Sequence, residues 1–247
     1  MPTIILITGA NSGVGYAAAK VIASSSFEYY VLMAGRNMAK VDAARSELEA
    51  SGTIKGKLFS IRLDVTDEST IKQAASKVEK QFGRVDVLIN NAGVGNRDPD
   101  LETRLRANFD TNVVGPALVS QASRPLLLKS TNPRSIYISS GSGSIERASH
   151  RTKQVLPNAE SYSVSKAALN MLALNEKIDY GAQGLKVFVF CPGFVVSNIR
   201  GSSKEERSGG GMAGDPDVSA MMLLDMIEER RDEDIGKFIH RDGIYPW

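Results

Sequence analysis

The start of the chain constrains its fold more than any other stretch. Residues 3–8, Thr-Ile-Ile-Leu-Ile-Thr, are a continuous apolar run that leads straight into Gly9-Ala10-Asn11-Ser12-Gly13-Val14-Gly15 and an alanine-rich segment. A strand with no polar alternation is buried on both faces, as in a parallel sheet covered by helices. Strand, glycine loop and helix in direct succession bring backbone N–H groups and a helix N-terminus to one point, where they can hold a pyrophosphate. A glycine loop alone is often only a tight turn. Its place straight after the first strand favours the dinucleotide.

The same alternation continues. Residues 29–34 read as a second strand ending in Gly35-Arg36-Asn37, and a helix over 38–50 puts Val41, Ala44 and Leu48 on one face. A strand at 57–63 ends in Asp64-Val65, a helix covers about 68–82, and a strand at 85–89 runs into Asn90-Asn91-Ala92-Gly93. Repeated β-α-β units of this kind predict a Rossmann fold, a doubly wound, mostly parallel α/β sheet with helices on both faces and its ligand at the carboxyl ends of the strands. We expect seven strands in a single domain spanning residues 1–247.

A polar stretch at 96–106 precedes a long helix at about 111–129, with Asn112 in its first turn. A strand at 135–139 then delivers Ser139-Ser140-Gly141-Ser142-Gly143 to the same sheet edge. Residues 144–160 read as a polar, basic insert, containing Arg147, His150, Arg151 and Lys153, ahead of the helix that carries Tyr162. A strand at 186–190 ends in Cys191-Pro192-Gly193, and residues 197–215, rich in Ser, Gly and charge, read as a substrate lid. That lid has too little apolar area to order itself unaided. A helix from 216 and a short strand at 237–240 close the sheet.

Composition narrows the partners. A net charge of +2 with interspersed signs offers no basic stripe for nucleic acid and no polybasic patch for a membrane. One cysteine, Cys191, makes no internal disulfide, and two histidines make a structural zinc site improbable, so we expect no metal. Without an apolar segment of about 18 residues or room for a signal peptide before the glycine loop, the cytoplasm is the expected compartment. A small molecule is the expected partner.

Tyr162 and Lys166 stand four residues apart, which on a helix stacks them on one face about 6 Å apart at Cβ. A phenol with an ordinary pKa near ~10 is a poor acid–base group, but a nearby ammonium lowers it by ~1–3 units. The pair can pass a proton. Such pairs also occur on solvated helix faces, so the neighbouring motifs have to decide. At the end of the second strand, Arg36 offers donors for the 2′-phosphate of NADP where an acidic residue would bind the ribose of NAD. It could also be a solvated loop arginine, and the glycine loop has no second basic residue.

Together these motifs resemble the short-chain dehydrogenase/reductase family from Thr3 to about Ser197. The matches are Thr8-Gly9-x-x-x-Gly13-x-Gly15, Asp64, Asn90-Asn91-Ala92-Gly93, Asn112, Ser140, Tyr162-x-x-x-Lys166, and Pro192-Gly193 with Ser197. The ending Asp242-Gly243-Ile244-Tyr245-Pro246-Trp247 is similar to that of carbonyl reductases in the family. The resemblance implies Asn112, Ser140, Tyr162 and Lys166 as catalytic residues. Tyr162 would be the general acid, Lys166 would hold the nicotinamide ribose, Ser140 would bond the substrate oxygen, and the helix around Asn112 would hold a connecting water. Cofactor contacts are implied for Gly9, Asn11, Ser12, Gly13, Val14, Arg36 and Asn37. They are implied likewise for Asp64, Val65, Asn91, Ala92, Gly93, Pro192, Gly193, Val195 and Ser197, and for Tyr162 and Lys166.

Two departures stand out. Ser140 precedes Tyr162 by 22 residues, wider than usual in the family, which leaves Ser139 and Ser142 as alternatives and puts the insert at the pocket mouth. Ser197 stands where a threonine is usual. The leading expectation is NADPH-dependent reduction of a ketone or aldehyde. Oxidation of an alcohol, a non-redox use of the site, and a dinucleotide-sensing regulatory protein are the alternatives. A serine hydrolase at Ser140 lacks a positioned histidine. The Tyr162 helix is apolar on more than one side, through Val164, Leu169, Met171, Leu172, Leu174 and Ile178, which suits a homo-oligomer (dimer or tetramer) as well as a monomer.

Overall fold

A computed structural model of the chain describes residues 1–152 and 157–247; part of the 144–160 insert, including Lys153, lies outside the described residues. In chain order the elements are β1 (Thr3–Thr8), α1 (Gly13–Ser25), β2 (Tyr29–Gly35), α2 (Met38–Ala50), β3 (Lys57–Arg62), α3 (Glu68–Phe82) and β4 (Val87–Asn90). There follow α4 (Leu101–Phe109), α5 (Gly115–Leu127), β5 (Arg134–Ile138), α6 (Ile145–Ser149), α7 (Glu160–Tyr180) and β6 (Lys186–Cys191). The chain ends with α8 (Lys204–Ser208), α9 (Pro216–Ile227), β7 (Phe238–His240) and β8 (Gly243–Tyr245).

The apolar run of β1 divides its side chains between two cores, as an alternating strand must when both faces are covered. Ile5 and Ile7 pack with Ala17, Ala18 and Ile22 of α1, Val41 and Leu48 of α2, and Leu223 and Met226 of α9. Ile4 and Leu6 face the other way, onto Ile71 and Val78 of α3, Val119 and Leu126 of α5, and Leu169 of α7. Small side chains on α1 let it lie close to both the sheet and α9. The strands run β3-β2-β1-β4-β5-β6-β7-β8, so the chain reverses its direction of travel between β1 and β4. Ligands of a doubly wound sheet bind at that crevice.

Among the described residues the sheet has eight strands, one more than the seven expected. β8 pairs antiparallel with β7, His240 opposite Gly243. Its three residues are too few to show alternation in sequence; packing of Phe238 against the Tyr245 and Trp247 rings, at 5.5 and 5.6 Å, accompanies the pairing.

Residues 96–106, read as a polar stretch, contain most of α4. Asp100 caps that helix by accepting from Thr103 N at 2.8 Å, and Glu102 pairs with Arg106 one turn later. A π-helical turn, Asp110–Val114, joins α4 to α5. Asn112 therefore lies in the middle of one helical stretch from Leu101 to Leu127 rather than in a first turn. The 144–160 insert includes α6, capped by Ser144. Residues 197–215 are organised by polar contacts. α8 starts in a capping box between Ser203 and Glu206, and Val195 bridges Gly214. The Arg200 guanidinium donates to the Val195, Glu206 and Arg207 carbonyls.

Candidate active site

The glycine loop lies across the switch point. Gly9 (φ +65°) and Gly13 (φ +56°) adopt left-handed conformations that other residues rarely reach. A Cβ on Gly9 would come within 3.0 Å of Ala92 Cα, so the ends of β1 and β4 meet backbone to backbone. Thr8 and Asn91 lace them together. Thr8 Oγ1 accepts from Asn91 N and Ala92 N, both at 3.0 Å, and Asn91 Nδ2 donates to Thr8 O at 2.7 Å. The Asn91 side-chain amide, which the resemblance implied as a cofactor contact, donates to the loop instead. Ser12 occupies the N-cap of α1 without a side-chain cap bond, and the first turn has no acidic residue. That helix start suits an anion.

At the end of β2, Arg36, Asn37 and Met38 line a shallow hollow with Arg62 and Asp64. Arg62 enters from β3, where it pairs in register with Gly35. It is a second cation in the hollow, contributed from outside the glycine loop. Asn37 caps α2, its Oδ1 accepting from Lys40 N, and Asn11 Oδ1 lies against Gly35. Asp64 accepts from the Thr66 amide and hydroxyl at 3.0 and 2.7 Å, while the Val65 side chain is buried under Gly115. A glycine cradle at a helix N-terminus fits the pyrophosphate of a dinucleotide.

Tyr162 and Lys166 share one face of α7, with Lys166 Nζ 5.8 Å from the phenol ring centroid. Lys166 is 3% exposed and donates to Ile138 O at 2.8 Å. Two glycines make room for it. A Cβ on Gly143 would come within 2.7 Å of the Lys166 backbone, and one on Gly93 would sit 3.3 Å from Asn112 Oδ1 and 3.6 Å from Lys166 Nζ. The geometry also separates the three serines. Buried Ser139 donates to Asn170 Oδ1 at 2.5 Å, and Ser142 donates its amide to Ser140 Oγ. Ser140, whose Oγ among the described residues accepts only that amide, is the serine that acts on the Tyr162 phenol, pulling its pKa down.

Burial pushes the Tyr162 phenol up to about 12, against opposing effects of the Ser140 hydrogen bond and the Arg200 charge. Burial likewise pulls the Lys166 ammonium down to about 8. The ammonium was expected to lower the phenol; instead desolvation of the phenolate raises it, and the opposing effects come from Ser140 and Arg200 rather than from Lys166. A phenol so placed keeps its proton at neutral pH.

Asn112 is fully buried in the π-helical turn. Its Oδ1 accepts from Val94 N and its Nδ2 donates to Val94 O, both at 2.9 Å, with a further bond to Ser165 Oγ at 3.0 Å. An unpaired amide at that depth costs roughly 1–3 kcal/mol, so the loop beyond Gly93 is held firmly. Facing it, Pro192 O accepts from Ser219 at 2.6 Å, Gly193 turns the chain with φ +81°, and Ser197 Cβ would lie 3.2 Å from a Cβ on Gly13. The 197–200 turn rests on the loop after Gly93, since a Cβ on Gly95 would meet Ile199 O at 2.9 Å and Arg97 Nη2 donates to Arg200 O. Phe194 lies under the Arg200 guanidinium, and both Phe194 and Met212 are exposed. Among the described residues no cluster of His, Cys, Asp or Glu could hold a metal, and no helix is long and apolar enough to cross a membrane.

A nucleotide cradle beside a Tyr–Lys pair whose lysine is buried, at the switch point of a parallel sheet, defines a dinucleotide-dependent oxidoreductase class. The short chain dehydrogenase family model matches residues 3–208, and the chain belongs to that family, whose cofactor is NAD(P). It is 35% identical over 206 residues to the short-chain dehydrogenase anuI of Penicillium roqueforti, covering 80% of this chain and 81% of the relative. It is 29% identical over 259 residues to the short-chain dehydrogenase/reductase tropE of Talaromyces stipitatus, covering 97% and 95%. Among solved structures, the NADPH-bound carbonyl reductase from chicken fatty liver superposes with a TM-score of 0.83 at 26% identity over 100% of both chains.

Proposed function

We propose that this oxidoreductase reduces a ketone or aldehyde to an alcohol at the expense of NADPH. The observation that carries the reading is the phenol of Tyr162, held protonated beside the Ser140 hydroxyl and the Lys166 ammonium at the mouth of the glycine cradle. The nicotinamide cofactor, when bound, supplies the hydride. Gly9, Ser12, Gly13 and Val14 would hold its pyrophosphate, Arg36 and Arg62 its 2′-phosphate, and the loop from Pro192 to Ser197 would border its carboxamide. Ser140 and Tyr162 would bind the carbonyl oxygen. As that oxygen gains charge, the Tyr162 O–H bond breaks and the proton passes to it. The phenolate left behind is stabilised by the ammonium of Lys166 and regains its proton from solvent past Asn112. General acid assistance of this kind contributes ~10²–10⁴-fold. Residues 197–215 would cover the substrate and exclude water. The carbonyl reductase likeness and Arg36 support the direction and the cofactor.

The test is a panel of aldehydes, ketones and alcohols assayed with all four nicotinamide cofactors. Carbonyl reduction with NADPH should be fastest. Alcohol oxidation with NAD⁺ as the dominant activity would overturn the reading.

Lys166 gives the reaction a pH dependence whose sign is fixed. Its ammonium, needed beside the phenolate, is present below pH about 8 and is lost as pH rises through that value. kcat/KM for reduction should therefore fall above pH about 8, and Lys166→Arg, charged throughout, should lack that limb. An unchanged limb in the arginine variant would assign it to another group.

A further inference from the structure

Asn112 is one rung of a longer ladder. Four residues earlier, Asn108 is fully buried and repeats its bonding: Oδ1 accepts from Asn96 N at 3.0 Å, Nδ2 donates to Asn96 O at 2.9 Å, and Nδ2 also reaches Ser161 Oγ at 2.9 Å. Each asparagine thus mimics a strand partner for one residue of the extended segment, and anchors on a serine of α7. The two spacings match, because two residues of extended chain rise ~6.6–6.8 Å and four helical residues ~6 Å. One more turn back, Arg104 Nη1 donates to the Asp98 and Pro99 carbonyls at 3.2 and 2.8 Å, and its Nε donates to Glu160 of α7 at 2.7 Å. Residues 104, 108 and 112 therefore fasten the segment 94–99 to the helix that carries Tyr162.

We infer that Asn108 is a positioning residue for substrate: by clipping Asn96 it sets the wall formed by residues 94–99 against the 197–200 turn. The inference rests on the reductase reading above. Asn112 holds the part of the wall next to Gly93 and Lys166. Asn108 holds the part that carries Arg97, whose guanidinium bonds Arg200 O, and Gly95, on which Ile199 rests. None of the residues bonded to Asn108 belongs to the glycine cradle or the Arg36 hollow, so the cofactor should be indifferent to it.

The test uses the full chain with NADPH and the best carbonyl compound of the panel. Asn108→Ala should raise KM for the carbonyl compound at least about 10-fold, lower kcat by less than about 3-fold and leave the NADPH dissociation constant within about 2-fold. Ser161→Ala keeps the Asn96 clip and should leave KM within about 3-fold. If Asn108→Ala does not fold, Asn108→Ser gives the same readouts. A lowered Tm with unchanged KM, or an equal loss of NADPH affinity, would overturn the positioning role. So would a full KM effect in Ser161→Ala, which would locate the action in α7. A wild type that reduces no carbonyl compound would instead sink the reductase reading, an outcome distinct from an active wild type with an unmoved variant.

Discussion

Tyr162→Phe should lose all but about one part in 10²–10⁴ of the turnover and keep NADPH affinity within about 2-fold. The substitution removes one hydroxyl and leaves the ring, so α7 and the Lys166 face beside it keep their packing. What disappears is the proton. The phenol stays protonated to a pH of about 12 in the free protein, and the Lys166 ammonium beside it is already bonded to Ile138 O. The loss should appear in kcat and kcat/KM together, as expected for an interaction made only in the transition state. Single-turnover rates with NADPH in excess measure it. More than about a tenth of wild-type turnover, with chemistry rate-limiting, would remove Tyr162 from the mechanism.

The second large effect concerns the cofactor. Arg36→Asp places a like charge where the 2′-phosphate would sit, and the NADPH/NADH preference should fall ~10–100-fold, or ~1.4–2.8 kcal/mol. Arg62→Ala, which removes only the second cation of the hollow, should move the ratio in the same direction by less. Cofactor kcat/KM ratios for the three proteins decide this. A wild type that prefers NADH, or a ratio unmoved by both substitutions, would make these arginines ordinary surface residues.

How much was legible in the sequence follows from range. β1, the glycine loop and α2 were readable because local signals define them: an apolar run, closely spaced glycines, and an apolar stripe at Val41, Ala44 and Leu48. The Tyr162–Lys166 pair was readable because helical spacing alone puts both on one face. Arg62 was not, because it reaches the Arg36 hollow through strand pairing between β2 and β3, which no local window contains. α4 was missed because its faces are occupied by Arg104 and Asn108, polar residues that are buried only through partners on α7 and the loop. Its Asp100 cap and the 104/108/112 spacing were the available clues. β8 was missed for want of length. The phenol's direction of shift was also inaccessible, since desolvation sets it and depends on burial.

The central claim is that hydride from the nicotinamide and proton from the protein go to the two ends of one carbonyl. Isotope placement tests it most directly. Reduction of an accepted aldehyde or ketone with NADPH deuterated at both C4 positions, in ordinary water, should put one deuterium on the carbinol carbon of every product molecule. Reduction with ordinary NADPH in D₂O should put none there, only an exchangeable deuterium on the oxygen. Solvent deuterium on the carbinol carbon, or product lacking the cofactor's deuterium, would contradict the account.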